Sequence, residues 1–540
     1  MRLAHSTQSA CVAPKTGLSK VKVGGKAIWD VILIGSGTGS LAAAATLARF
    51  GKSVLVLEAH SQLGGLTHAF TRKQMTWGTG LHYTGWPTAY FNDFPPLWES
   101  LTGGQAAWKR LPETTDHYVH PDGLFVKRGP RERYREDLYN AFPGERPAID
   151  QYLSDMRRIT TDYLRFMTLQ ALPPLVETCG LGWWLGRGFL TQDRLPLIRY
   201  MDQIGASERL REHLWFTWGN FGGIPDNTSV GAYAVPMEFM MDGLWTIAEG
   251  SPRVAEAFAQ TIRACGGELR RSAPVSELVF QRGRVVGVRV DGEEILAYSV
   301  ISGIGARETF RRFVPETIQP RHASRIQALP PSCSILTLYL ALRPEALMKY
   351  GLHGVNYWVE GEPGSMRTWW QDLNVLPSWF VLSLAARFQH EEPTRGQTLA
   401  EIFVGIPGKH FSRWHQTQVM KRGQEYADFK EDLVQKTLNR VERTWPGFGR
   451  YIDFIEAATP ATIRSYTGHS SGSAYGIAPV PGRYSERGLR AATGVPGLFL
   501  CGQDVAAPGV IGAFYGGLTA ASALLKCKVA TRLLKSSTIR

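Results

Sequence analysis

Val31 to Ile34 is a run of four apolar residues behind the polar Asp30, the pattern of a strand buried on both faces. Six small turn-forming residues follow, Gly35 to Ser40, and then an alanine-rich run from Leu41 to Phe50 that Gly51-Lys52 ends. Ser53 to Leu57 is a second buried run, closed by Glu58. The order predicts strand, helix, strand. Residues 253–264 carry apolar positions at helical spacing, broken by Gly266-Gly267. SELVF (276–280) and VVGVRV (285–290) read as two strands joined at Arg282-Gly283. Phe429, Leu433 and Val441 fall at helical intervals in a charged stretch that ends before Pro446. No apolar run reaches the roughly 18 residues that cross a bilayer.

At 540 residues the chain exceeds what one core organises, so two lobes are expected. Its 44% apolar and 20% charged residues are those of a folded globular protein. The net charge of +13 is scattered and forms no Lys/Arg block, which argues against a nucleic-acid partner. The six cysteines stand far apart with no C-x-x-C pair. That spacing argues against a metal site, a redox dithiol or a disulfide framework, and a reducing, cytoplasmic setting is expected. Residues 1–29 lack Asp and Glu and read as a disordered leader without the apolar stretch of a signal peptide.

The first β-α-β unit carries chemistry. In GSGTGS, Gly35 permits the tight turn and Gly37 lets the backbone approach a pyrophosphate, with helix amides facing the phosphates. Glu58 stands about 20 residues on, where a carboxylate grips a ribose hydroxyl. The third glycine of this fingerprint serves close helix–strand packing, and Ser40 takes its place. Glu58 would repel a 2′-phosphate, which argues against NADP. The pair Gly64-Gly65 beyond the acidic strand end is not needed for NAD and points to FAD.

GSGTGSLAAAATLARFGKSVLVLEAHSQLGG (35–65) and GTGLHYTG (78–85) resemble the phytoene desaturase and carotenoid isomerase family, and within it the retinol saturase-like branch. So do SPRVAEAFAQTIRACGGELRRSAPVSELVFQRGRVVGVRV (251–290), ATPATIRSYTGHSSGSAYG (458–476) and TGVPGLFLCGQDVAAPGVIGAFYGGLTAASA (493–523). The resemblance is thin from about 125 to 235 and from 340 to 450. Such proteins are similar to amine oxidases. The implied architecture is α/β: a discontinuous Rossmann-like FAD-binding domain (30–110, 240–306, 485–530) with an interleaved α+β substrate domain (111–239, 307–484) and a tail, 531–540.

The resemblance implies that Gly35, Ser36, Gly37, Gly39 and Ser40 surround the pyrophosphate, with Gly64 and Gly65 beside the FAD and Glu58 on the adenosine ribose. Val275 would meet the adenine, and Gly502 and Asp504 would lie by the pyrophosphate and ribityl chain. Gly509, Val510, Ile511 and Gly512 would open the last helix towards the flavin. Asp504 as a plain cap and Val275 as a plain strand residue are the competing readings. A flavin exchanges a hydride or two electrons with a bond held against its face. No catalytic acid or base stands out. His82, Tyr83, His469 and Tyr475 lie in the blocks nearest the expected flavin, where a structural hydrogen bond is the ordinary role.

The implied substrate is a hydrophobic polyene or isoprenoid whose carbon–carbon bond is saturated, desaturated or isomerised. An amine-oxidase-like activity and a non-catalytic FAD-binding role are the alternatives. ISGIGAR (301–307) lacks the third glycine and acidic partner of a second dinucleotide site. Electrons must then come from or pass to an external NAD(P)H, quinone or oxygen. The 16 Trp, 24 Phe and 19 Tyr supply apolar walls, although Trp183, Trp184, Trp215, Trp218, Trp369, Trp370 and Trp379 are each as readily core. Residues 163–201 mix Leu, Phe and Trp with four arginines. They read either as a peripheral membrane contact or as an amphipathic helix pair over the substrate lobe.

Overall fold

A computed structural model describes residues 21–23, 26–86, 92–170, 181–224, 226–361, 365–375, 377, 379–389 and 396–538. Two large sheets organise them. The first has the order Glu268–Arg270, Val54–Leu57, Lys26–Ile34, Glu293–Ser302, Arg284–Val290, Val275–Gln281. Leu498–Leu500 joins it parallel to Glu293–Ser302, and Val21–Val23 pairs antiparallel with Lys26–Ile34. The strands flanking Lys26–Ile34 run parallel to it, and Val31 to Leu33 are wholly buried.

The second sheet has seven strands in the order Ile452–Ala458, Ser334–Leu342, Thr398–Ile406, Phe380–Ser383, Asn356–Val359, Thr114–His120, Gly123–Arg128. Its two faces follow the strand period of two. Leu336, Leu338, Leu340, Ala400, Ile402 and Val404 pack into a core on one face. Ile335, Thr337, Tyr339 and Phe403 look the other way, into a cavity between the sheets.

Six helices matter for the site: α1 (Thr38–Arg49), α2 (Arg146–Gln170), α3 (Leu181–Asp193), α4 (Val230–Met241), α5 (Gly509–Leu525) and α6 (Val529–Thr538). α1 crosses α5 closely, and α2 packs on α3 and α4. The turn Arg282-Gly283 has φ values of 50° and 74°. Two positive φ values make it the turn whose twist suits a tight hairpin.

Four boundaries differ from expectation. The leader is ordered from Val21 to Val23, as a strand. Residues after 306 do not leave the first lobe at once: Phe310, Phe313, Ala323 and Ile326 pack in its core, which resumes at Ile477. α5 is not the last helix, because the expected tail forms α6 at 97° to it. Cys265 is disulfide-bonded, which its wide spacing from other cysteines did not suggest. In 163–201, the described rings Tyr163, Phe166 and Phe189 are turned inward against Tyr484. The middle of that segment and the side chains of Trp183, Trp184 and Trp218 lie outside the described residues. Among the described residues no single helix is long and apolar enough to cross a membrane.

Candidate active site

The cavity between the sheets encloses about 660 Å³. Gly35, Ser36, Gly37, Gly39, Ser40, Glu58, Gly64, Gly65, Val275, Gly502, Gly509 and Val510 all line it. Gly35 adopts φ +87°, a turn that a side chain would strain. Ser36 ties the two glycine turns together. Its backbone N–H and Oγ donate to Glu58 Oε2 at 2.8 and 2.6 Å, and its Oγ accepts from the Gly64 N–H at 3.0 Å. The other oxygen of Glu58 accepts from the His60 N–H.

Ser40 does what the missing glycine would do. A Cβ built on Gly303 would fall 1.9 Å from Ser40 Oγ, so the absent side chain on the neighbouring strand makes room for the hydroxyl. Ser40 Oγ also lies 3.5 Å from Cys501 Sγ. Gly39 is also held close, since its Cβ would meet Gly502 Cα at 2.5 Å.

These residues fit a bound dinucleotide. A Cβ added at Gly37, Gly502 or Gly509 would meet no protein atom within 4 Å, so each would project into the cavity. α1 and α5 both begin at this cavity, at Gly37 and Pro508, without a side-chain cap. Their first N–H groups and positive dipole ends are therefore free for anionic oxygens.

Three expected positions differ. Asp504 does not line the cavity. Its carboxylate accepts from the Ala306 N–H at 2.8 Å and the Ile477 N–H at 3.1 Å, clamping two segments of the first lobe. Ile511 and Gly512 line a second cavity of about 570 Å³ instead. Helical rotation carries them past the first-turn positions Gly509 and Val510, which line both cavities. The second cavity, walled by α2, α4, α5 and α6, adjoins the first through Thr84, Phe221, Met240 and Gly509.

His82, Tyr83, His469 and Tyr475 all line the main cavity. Tyr83 Oη donates to Asn220 Oδ1 at 3.0 Å, and burial pushes its phenol well above the ordinary value. Burial likewise raises Tyr475. His469 Nδ1–H donates to the Ser473 carbonyl at 2.9 Å. His82 Nδ1 lies 3.8 Å from Glu401 Oε1, and burial lowers His82 to about 4.

Where the cavity meets the second sheet its walls are Ile335, Thr337, Trp358, Trp379, Val381 and Phe403. Trp369, by contrast, is core, donating from Nε1 to the Gly405 carbonyl at 2.8 Å. The sequence reading missed the cavity roles of Trp358, Phe403 and Tyr339 because burial alone does not separate wall from core. It also missed Glu401, the one charge in the apolar strand TLAEIFVGI, a signal that was there to find.

Residues 41–525 match the family described as flavin containing amine oxidoreductase. The chain belongs to that family. It is 27% identical to the all-trans-retinol 13,14-reductase of Danio rerio, covering 92% of this chain and 86% of that one. It is 24% identical to the chloroplastic prolycopene isomerase of Arabidopsis thaliana, over 95% and 85% of the two chains. A putrescine oxidase structure with putrescine bound superposes with a TM-score of 0.62 at 15% identity, covering 93% of this chain and all of that one. This flavin containing amine oxidoreductase is thus an FAD-dependent oxidoreductase with a Rossmann-like α/β fold.

Proposed function

We propose that this enzyme saturates a carbon–carbon double bond in a hydrophobic polyene or isoprenoid, as the names of its retinol reductase relatives suggest. One observation carries the reading: the cavity that begins at the glycine turns continues to an apolar and aromatic wall. Among the described residues of that wall none is a carboxylate that would receive an amine cation. The adjoining cavity gives an elongated apolar molecule room beyond the reacting bond. FAD supplies hydride chemistry when bound. Gly35, Ser36, Gly37, Gly39 and Ser40 would hold its pyrophosphate, with Gly64, Gly65 and Gly502 beside it. Glu58 would hold the ribose, Val275 the adenine, and the α5 start at Gly509 and Val510 the flavin. The protein's further tasks are to hold the alkene, exclude water and deliver one proton. An external reductant, such as reduced nicotinamide, restores the electrons.

The test is anaerobic photoreduction of the purified flavoprotein followed by all-trans-retinol. Return of the oxidised flavin spectrum with a dihydro product supports saturation. A flavin that stays reduced, while a retinoid or carotenoid changes only its double-bond geometry, replaces saturation with isomerisation, the activity named in the prolycopene isomerase relatives.

A further inference from the structure

Glu401 is 1% exposed, and neither of its carboxyl oxygens has a hydrogen-bond partner within the protein. It sits on the strand Thr398–Ile406, directly across from Tyr339 on one side and Ser383 on the other. On the cavity side stands His82, whose Nδ1 is 3.8 Å from Glu401 Oε1. His82 lines the cavity and Glu401 does not. The imidazole is held in place. Its ring packs against Phe403 at 4.9 Å between centroids, and the His82 carbonyl accepts from Thr246 Oγ1 at 2.8 Å and Gln389 Nε2 at 3.3 Å. The titratable groups facing Glu401 are thus His82 and, from the neighbouring strand, Tyr339. No cation is paired with it among the described residues. A lone buried carboxylate is so costly that the neutral acid is the stable form.

We infer that Glu401 and His82 form a proton relay, with Glu401 as a buried proton reserve and His82 as the group that hands the proton to the substrate carbon. The inference rests on the saturation reading and deepens it. Burial alone raises Glu401 to about 8 and lowers His82 to about 4, so at neutral pH the acid is protonated and the imidazole neutral. An acid facing Nδ1 places the ring proton on Nε2. In the step, the Nε2–H bond breaks as a C–H bond forms on one alkene carbon. The Glu401 O–H proton moves to Nδ1 and leaves a carboxylate. The other alkene carbon receives the hydride that reduced flavin supplies, so two electrons and two hydrogens enter the bond. A proton from solvent then reaches Nε2 through the cavity that His82 lines, and the Nδ1 proton returns to Glu401, so both groups regain their starting forms. The 3.8 Å separation is longer than a hydrogen bond, as catalytic contacts often are before substrate closes the site.

The experiment uses the holoenzyme and two readouts. Without substrate at pH 7, infrared difference spectra should show the C=O stretch of a buried carboxylic acid that Glu401→Gln removes and His82→Gln shifts. An absent band, or one that ignores His82→Gln, overturns the relay whatever the reaction proves to be. With all-trans-retinol and photoreduced enzyme, Glu401→Gln should slow flavin reoxidation tenfold or more and lower its solvent isotope effect. Glu401→Asp should recover part of the rate. Reoxidation by oxygen and flavin content should stay as in the wild type, which excludes a merely structural loss. An unchanged retinol rate in Glu401→Gln overturns the relay. A wild type inert to retinol overturns the saturation reading instead, and the infrared result then decides the pairing.

Discussion

Ser40 Oγ occupies the space that a side chain on Gly303 would need, 1.9 Å from where that Cβ would stand. The two positions are 263 residues apart in numbering yet share one gap between α1 and the strand Glu293–Ser302. The fingerprint glycine has in effect been moved across the interface.

Gly303→Ala should therefore destabilise the protein by about 1–3 kcal/mol, the usual cost of overpacking. Gly303→Ala with Ser40→Gly should recover part of that loss. The recovery is partial because the new methyl also lies 3.2 Å from Cys501 Sγ. Denaturant unfolding of the two variants checks it, and a double variant no better than the single one contradicts the shared gap.

Gly37→Ala separates fold from cofactor. The added methyl meets no protein atom within 4 Å and enters the cavity. The apo-protein should melt as the wild type does, while FAD affinity falls tenfold or more. Flavin fluorescence titration beside thermal melting reads both. A loss of apo stability would show that Gly37 is needed by the fold itself.

Glu58→Ala removes an acceptor of three donors, the Ser36 N–H, the Ser36 hydroxyl and the His60 N–H. A hydrogen bond to a charged group is worth about 1.5–3 kcal/mol, so the ribose contact should cost FAD affinity about tenfold or more. Apo stability should fall too, since the carboxylate also ties the turns together. Unchanged FAD affinity would remove Glu58 from the site.

Glu401 couples stability to pH. The folded carboxyl titrates near 8 instead of its ordinary 4.5. Between those values the folded chain keeps a proton that the unfolded chain has lost. Its stabilising effect is fully present below about pH 4.5 and is lost as pH rises through about 8, at up to roughly 1.4 kcal/mol per pH unit. His82 acts in the opposite sense: its folded value near 4 removes stability as pH falls through the window below 6.5. Subtracting the two proteins isolates the carboxyl, so Glu401→Gln should gain on the wild type steadily from about pH 5 to 8. A difference that stays flat with pH would mean Glu401 is ionised in the fold.

Local pattern alone carried the β-α-β unit, the 275–290 hairpin and the helix found at Pro252–Ala264, because their apolar periods and turn residues are read within a few positions. The glycine turns and Glu58 were legible for the same reason: the phosphate cradle is built from one short segment. The rest depends on distant chain coming together. Asp504 looked like a cofactor residue from its neighbours, yet backbone N–H groups of Ala306 and Ile477 claim its carboxylate. Ser40 became acceptable only because residue 303 has no side chain. Glu401 and His82 met only once the second sheet closed over the loop after Gly78, with its alternation turning one charge from an apolar strand towards the cavity. Sequence determined which segments bind phosphate and which form strands, since those rest on neighbours along the chain. The tertiary structure decided which buried polar groups face one another, since that depends on packing across hundreds of residues.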